Sequence, residues 1–176
     1  MRRQFLPGRV RAFVASEQDE ASVGQYKALL ASAPWREGLA FEGVPTYHRE
    51  GTVLVLIREH HLYRDHLDRD LAGALGEPIE LVVYLSKHRS ESRTPSLTVH
   101  PVGNPGNAEL GGRPGAFVPS APRWMTAALL GLRREARTIP YAVTFEATHH
   151  GPYLGSPTFY VEQGSTEKEW ADREAS

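Results

Sequence analysis

No cysteine occurs among the 176 residues of the chain. That excludes a disulfide framework, thiolate zinc sites, iron–sulfur clusters and a cysteine nucleophile, and leaves His, Asp, Glu and water as metal ligands. Any zinc here is expected to be catalytic rather than structural. No stretch approaches the roughly 20 apolar residues that span a bilayer. Behind Met1-Arg2-Arg3 the apolar run is broken by Pro7, Gly8 and further arginines, unlike the apolar region of a secretory leader. A cytoplasmic location without membrane contact is the expectation. Charge of one sign is missing too. The chain has 20 Lys and Arg against 21 Asp and Glu, a formal net charge of −1, so any contact with RNA must come from a local patch. There is no internal repeat or low-complexity segment, and no Gly-x-Ser-x-Gly elbow. Gly111-Gly112-Arg113-Pro114-Gly115 lacks the spacing of a phosphate loop, and its glycines are read as permitting a tight turn.

What is present is the profile of a globular domain, 40% hydrophobic and 23% charged, expected to be a single α/β unit over residues 1–176. Apolar runs alternate with helical patterns, which predicts a layered α/β architecture. Strands are expected at 10–14, 52–57, 79–85, 96–100, 141–147 and 158–162. The runs at 52–57 and 79–85 are continuous enough to be buried on both faces. Helices are expected from a cap at Ser16 or Asp19 to about Ala33, over 63–75, over 123–136, and from Thr166, where Thr and Glu169 stand at capping-box spacing. Residues 101–119, rich in Gly, Pro and Asn, form a long irregular connection of the kind that tends to carry function.

Four of the eight histidines fall in two short segments, 86–100 and 145–152. His88 follows the strand ending near Leu85, His100 ends the next strand, and His149-His150 follow the strand that carries Glu146. Ligands of open α/β sheets bind beyond the carboxyl ends of the strands, so these segments can converge on one site. Several histidines with a carboxylate form a ligand set that leaves zinc an open position for water. The alternative is a solvated His88 and a His149-His150 pair that only turns the chain. His60, His61 and His66, flanked by Arg58, Glu59, Arg64 and Asp65, read as a solvated helix entry. Hydroxyls at Ser90, Ser92 and Thr98, with the loop amides, suit an oxyanion or phosphate better than a nucleophile's role. Arg113, Arg123, Arg133 and Arg134 give a local basic excess that could hold a phosphate backbone at the rim of the site. Trp124 reads either as a stacking surface or as a core residue.

These segments also carry a family resemblance. Tyr84 to Pro101, Gly103-Asn104, Gly111 to Pro114, Ala121-Pro122 with Met125, Thr144 to Pro152 and Val161 to Trp170 occur in order and resemble the archaeal and plant type of D-aminoacyl-tRNA deacylase. The resemblance implies a three-layer α/β/α sandwich with a mixed, largely parallel sheet, similar to the phosphorylase/hydrolase-like and peptidyl-tRNA hydrolase folds. It further implies zinc dependence and hydrolysis of the ester joining a D-amino acid to the tRNA 3′ end. His88, His100, Glu146, His149 and His150 match the family's polar positions. It also implies a further C-terminal part with a glycine-rich His-Tyr motif, which is not found before Ser176.

The expected mechanism is metal-assisted. Zinc on some of His88, His100, His149 and His150 brings the pKa of water to about 7. Glu146, with His88 and His100, serves as catalytic acid–base or orienting group, and the aminoacylated tRNA end is the partner of a monomer. Two other readings are a tRNA-end or nucleotide-binding module without turnover, and a different metal-dependent ester hydrolase.

Overall fold

The computed structural model describes residues 9–176, so the reading of Met1 to Gly8 lies outside the described residues. Eight strands form one sheet: β1 (Val10–Ser16), β2 (Arg36–Phe41), β3 (Val44–Arg49), β4 (Thr52–Ile57), β5 (Ile79–Arg89), β6 (Ser96–Pro101), β7 (Ala142–Phe145) and β8 (Thr158–Ser165). Their order is β2-β3-β4-β1-β5-β8-β6-β7. The four middle strands β4, β1, β5 and β8 are parallel, and β6 turns antiparallel to β8 while pairing in parallel with the edge strand β7. The sheet is mixed and mostly parallel, as the family resemblance implied.

Helices α1 (Glu20–Ser32), α2 (Leu67–Leu75), α3 (Pro122–Glu135) and α4 (Glu167–Trp170) flank the sheet. Asp19 starts α1 by accepting the Ser22 amide at 3.0 Å, and the capping box of Thr166 and Glu169 starts α4. The expected helix over 63–75 is split. A 3-10 turn, His61–Tyr63, precedes α2, because the chain passes through a left-handed conformation at His66 (φ 61°). A hairpin, β2–β3, fills the gap between α1 and β4. It turns through Glu42 and Gly43, both at positive φ, the chemistry of a tight hairpin.

Strand alternation separates two faces. Leu81, Val83 and Phe159 pack with Ala121 and Met125 under α3, while Ala15, Leu54 and Leu85 pack with Tyr26 of α1. The other face carries Val82, Tyr84 and Tyr160 with Leu67 and Leu71 of α2, Val102, Val118 and Leu154. Each such buried side chain contributes roughly 1.5–3 kcal/mol. The period of two then sends Ser86, His88 and Glu162 to this second face. β5 runs to Arg89, four residues past its expected end, and pairs with β8 as far as Ser165. Gly164 permits this, since a Cβ there would sit 2.0 Å from the His88 carbonyl oxygen. Trp170 of α4 donates its indole N–H to that same carbonyl at 2.8 Å, fixing the strand end from the other face.

Candidate active site

Glu162 is the centre of the site. It is 3% exposed, and in register it lies between Ser86 of β5 and Thr98 of β6. His100 Nε2 stands 3.4 Å and His150 Nε2 3.8 Å from Glu162 Oε1, and His88 Nδ1 is 3.5 Å from Oε2. Glu146, at the end of β7, closes the ring with contacts to His88 Nδ1 (3.2 Å) and His149 Nε2 (3.8 Å). Four imidazoles therefore surround two carboxylates. The sequence-selected His88, His100, Glu146, His149 and His150 all meet here. His88 and His100 do so from within strands rather than beyond them, and β6 enters from the opposite direction to β5 and β8.

The rings are held in fixed planes. His100 Nδ1 lies 2.9 Å from the Pro101 carbonyl, His149 Nδ1 2.7 Å from Ala147 O, and His150 Nδ1 2.8 Å from Gly151 O. A carbonyl only accepts, so each Nδ1 carries a proton and each Nε2 is the nitrogen left to bind. His100 stacks on His149 at 4.0 Å and on Tyr160 at 5.1 Å with a 2° interplanar angle, and Tyr160 stacks in turn on Tyr84. The Tyr160 hydroxyl donates to Gly151 O at 3.2 Å, tying the His150 turn to the same column.

The charges follow from these contacts. Burial alone would raise the Glu162 carboxyl, but the imidazoles of His100, His150 and His88 facing it at 3.4–3.8 Å hold it well below the usual range. Burial opposes a charge on His100, yet Glu162 outweighs it and raises the imidazole pKa. His88 is raised chiefly by its hydrogen bond to Glu162. His149 goes the other way, to about 4, pushed by burial and then by the His100 charge. The contact of His100 Nε2 with Glu162 is an ion pair without hydrogen-bond alignment, which leaves that buried nitrogen formally unpartnered.

The ligating atoms of His100, His149 and His150 lie within 4.8 Å of one another, as do those of His88, Glu146 and Glu162. Three Nε2 atoms freed by backbone-bonded Nδ1–H groups form a donor set that suits zinc, with the second-sphere support such ligands need. The residues present fit the ion.

The remaining assignments are placed differently. Ser90 and Ser92 lie in the β5–β6 turn, where their hydroxyls bond each other at 3.0 Å. The amides of Ser92, Arg93 and Thr94 are bonded within that turn, so these three are not free to serve an oxyanion. Thr98 is fully buried and faces Glu162 across the β6–β8 ladder. Arg113 is on the site's side of the molecule. It stacks on Tyr153 at 4.3 Å and reaches His66 Nε2 at 2.9 Å, pinning the 101–119 connection to the start of α2. Arg123, Arg133 and Arg134 sit on α3, which covers the opposite face of the sheet, so they do not form the rim of the histidine site. Trp124 is 41% exposed with Arg11 over its ring, not a core residue.

The reading of His60 and His61 as a solvated helix entry is corrected as well. His61 is fully buried beneath Tyr84 and Tyr160, and His60 is half-buried. The loop glycines do more than turn the chain. A Cβ on Gly111 would lie 1.8 Å from Leu62 O, and one on Gly151 would lie 2.3 Å from Gly112 N, so the 60s turn, the 110s loop and the His150 turn touch backbone to backbone. Glu162 went unselected in the sequence, although it was visible as an acid at an alternating position of an otherwise buried strand.

A mixed, mostly parallel sheet between helices, with a histidine–carboxylate centre on one face, defines an α/β protein of the nucleosidase-like architecture. The chain superposes on the 5′-methylthioadenosine/S-adenosyl homocysteine nucleosidase of Campylobacter jejuni with a TM-score of 0.52 over 94% of its length and 93% of that chain, at 10% identity, a likeness of fold alone. Within that architecture the chain belongs to the D-aminoacyl-tRNA deacylase family, whose family model matches residues 75–176. It is 33% identical over 168 residues to the D-aminoacyl-tRNA deacylase of Pyrococcus abyssi, covering 94% of this chain and 61% of the relative. It is 48% identical over 126 residues to that of Methanosarcina mazei, covering 69% of this chain and 42% of the relative. A solved structure described as a conserved protein of unknown function matches with a TM-score of 0.87 and 34% identity, over 97% of this chain and 60% of that one. The chain thus spans about half the length of the curated relatives it matches. Among the described residues no helix is long and apolar enough to cross a membrane.

Proposed function

We propose that this chain hydrolyses the ester bond of D-aminoacyl-tRNA, releasing the D-amino acid and free tRNA, as a zinc-dependent, monomeric, cytoplasmic quality-control enzyme of translation. The observation that supports this reading most is the set of three imidazoles, His100, His149 and His150, each with Nδ1 bonded to a backbone carbonyl and Nε2 left to ligate, in a chain of the deacylase family. Zinc held by these nitrogens, with Glu162 and His88 beside them, would supply Lewis acidity to water and to the ester carbonyl.

The chain's own groups do the rest. Glu146, partly exposed and already paired with His88 and His149, takes the proton of the attacking water. Glu162 holds His88 and His100 in orientation and balances their charge. The column of Tyr84, Tyr160 and His100 keeps the imidazole planes fixed, so the ester meets groups that need not reorganise. Arg113, 53% exposed at its side chain, is the cation on this face placed to meet the phosphates of the tRNA end.

The test is release of amino acid from matched D- and L-aminoacyl-tRNA by the 176-residue chain, with zinc and with chelator. Zinc-dependent cleavage of the D-ester alone is the expected result. Salt-sensitive tRNA binding without release would replace the reading with a binding module. Preference for simple esters over aminoacyl-tRNA would replace it with a general metal-dependent esterase.

A further inference from the structure

A second group of titratable side chains adjoins the site and has no role in the chemistry above. Asp19, fully buried, accepts the Ser22 amide through Oδ1 at 3.0 Å, and through Oδ2 the Lys87 amide at 3.0 Å and the Ser86 hydroxyl at 3.3 Å. The same Oδ2 faces Nε2 of the fully buried His61 at 3.7 Å. His61 Nδ1 lies 3.1 Å from Nδ1 of His60, the half-buried end of the series. His61 Nε2 is otherwise without a partner, although buried. The group borders the catalytic face directly. His61 packs on Tyr160 at 5.4 Å, Tyr160 packs on His150 at 4.7 Å, and Ser86 is the register partner of Glu162.

The hydrogen bonds assign the protons. The Leu62 amide points at His60 Nδ1 at 3.4 Å, which makes that nitrogen an acceptor. The proton between the two Nδ1 atoms then belongs to His61, so His61 Nε2 is a lone pair turned toward Asp19, and His60 carries its proton on Nε2. Asp19 Oδ2 lies 3.7 Å from that lone pair, and a proton carried on Oδ2 would give the buried nitrogen its partner. Burial works in the same direction: it raises the Asp19 carboxyl and lowers the His61 imidazole to about 3, favouring the uncharged form of each.

We propose that Asp19, His61 and His60 form a proton chain, and that His60 Nε2 is the general acid that protonates the departing ribose oxygen of the aminoacyl ester. This rests on the deacylase reading. Hydrolysis needs two proton transfers: one leaves the attacking water for Glu146, and one must reach the leaving oxygen as its bond to the carbonyl carbon breaks. The histidines around Glu162 are committed to ligation or to carboxylates, and of the two others on this face His66 is held by Arg113 at 2.9 Å, which leaves His60 for the second transfer. As His60 Nε2 gives up its proton, the proton on His61 Nδ1 moves to His60 Nδ1, and the Asp19 proton moves to His61 Nε2. The negative charge then comes to rest on Asp19, where the Ser22 and Lys87 amides and the Ser86 hydroxyl already donate to it. Water later returns the proton. The His61–Asp19 gap has only to close by about 1 Å to become a hydrogen bond, a tightening usual on substrate binding.

Two measurements decide it. Long-range 15N–1H correlation spectra of the whole metal-free chain should show His61 in its Nδ1–H tautomer and His60 in its Nε2–H tautomer; an Nε2–H tautomer at His61 overturns the chain. Hydrolysis of D-aminoacyl-tRNA is then compared with that of the p-nitrophenyl ester of the same amino acid, whose leaving group needs no proton. His60→Gln should lose about 10²–10⁴-fold on the tRNA ester and stay within about twofold of the unmodified protein on the nitrophenyl ester. Asp19→Asn, which keeps the helix cap, should show the same selectivity with a smaller loss, in kcat rather than KM. Equal losses on both esters, or none on either, overturn the role of His60 alone. An unmodified chain that cleaves neither D- nor L-aminoacyl-tRNA overturns the deacylase reading, and the role of His60 with it.

Discussion

His100 and His61 are both fully buried and both pack against the ring of Tyr160, yet their pKa values are pushed in opposite directions. His100 is raised above its ordinary pKa, whereas His61 falls to about 3. Burial acts on each in the same direction, so the partner decides. His100 faces Glu162, whose charge is shared among three imidazoles and kept ionised by them. His61 faces Asp19, a buried carboxyl whose own charge burial disfavours, and its other neighbour is a second histidine. A buried imidazole in this protein is pushed toward its charged or its neutral form according to the acid placed opposite it.

The strongest way to break this contrast is to remove the charge at Glu162. Glu162→Gln leaves His88 and His100 without their counter-ion and should cost about 3–5 kcal/mol in urea denaturation, the range for breaking a buried ion pair. Zinc affinity measured by calorimetry should fall with it. Gly164→Ala attacks the same cluster through the backbone, forcing β8 off the His88 carbonyl. Its cost is expected at or above the top of roughly 1–3 kcal/mol, with Tm as the readout.

The two regions should also separate with pH. His61, with its folded pKa at about 3 against an ordinary 6.5, binds a proton only when unfolded within that window, so its contribution falls as the pH drops from 6.5 toward 3. His88 and His100 are raised, so their contribution is complete below pH 6.5 and is lost as the pH climbs through their folded values. Glu162 is depressed, so its contribution is present above 4.5 and lost as the pH falls toward its folded value. Urea midpoints should therefore show His61→Gln costing less at pH 5 than at pH 7.5, and Glu162→Gln costing most near pH 5.5. If the two profiles run in parallel, the contrast is wrong.

Asp19→Asn sharpens the comparison from the other side. With a neutral His61 opposite, it removes no ion pair, but it sets an amide NH2 where Oδ2 accepts from the Lys87 amide and the Ser86 hydroxyl, and the loss should be about 1–3 kcal/mol. The smallest effect is expected for Tyr160→Phe, which keeps the ring column and removes only the bond to Gly151, at about 0.5–1.5 kcal/mol. Zinc binding should survive that change and weaken in Tyr160→Leu, where the flat surface against His100 is gone.

Much of the scaffold was legible from local pattern. The runs at 52–57 and 79–85 became the parallel strands β4 and β5, and the capping residues Asp19 and Thr166 start α1 and α4. The hairpin of β2 and β3 was not legible, since Gly38 and the exposed Leu39 dilute its alternation. The end of β5 was missed because Ser86-Lys87-His88-Arg89 looks like a polar loop, and only the β8 partner makes it strand. In the site, His88, His100, Glu146, His149 and His150 stood out as residue types that ligate metals. Glu162 and His61 did not, because an acid in an apolar strand and a histidine in a charged stretch give no local sign of which way they face.

By itself the sequence determined the class of fold, the absence of thiol chemistry and the stock of imidazoles and carboxylates, because composition, period and capping act over a few residues. Tertiary structure alone decided that β6 enters antiparallel to bring His100 onto Glu162, that α3 carries its arginines to the far face, and that His61 is buried beside Asp19. Those outcomes depend on strand order and on which surfaces exclude water. Charge state follows from them, since the energy of an ionised group is set by the partners and the solvent that the whole fold leaves around it.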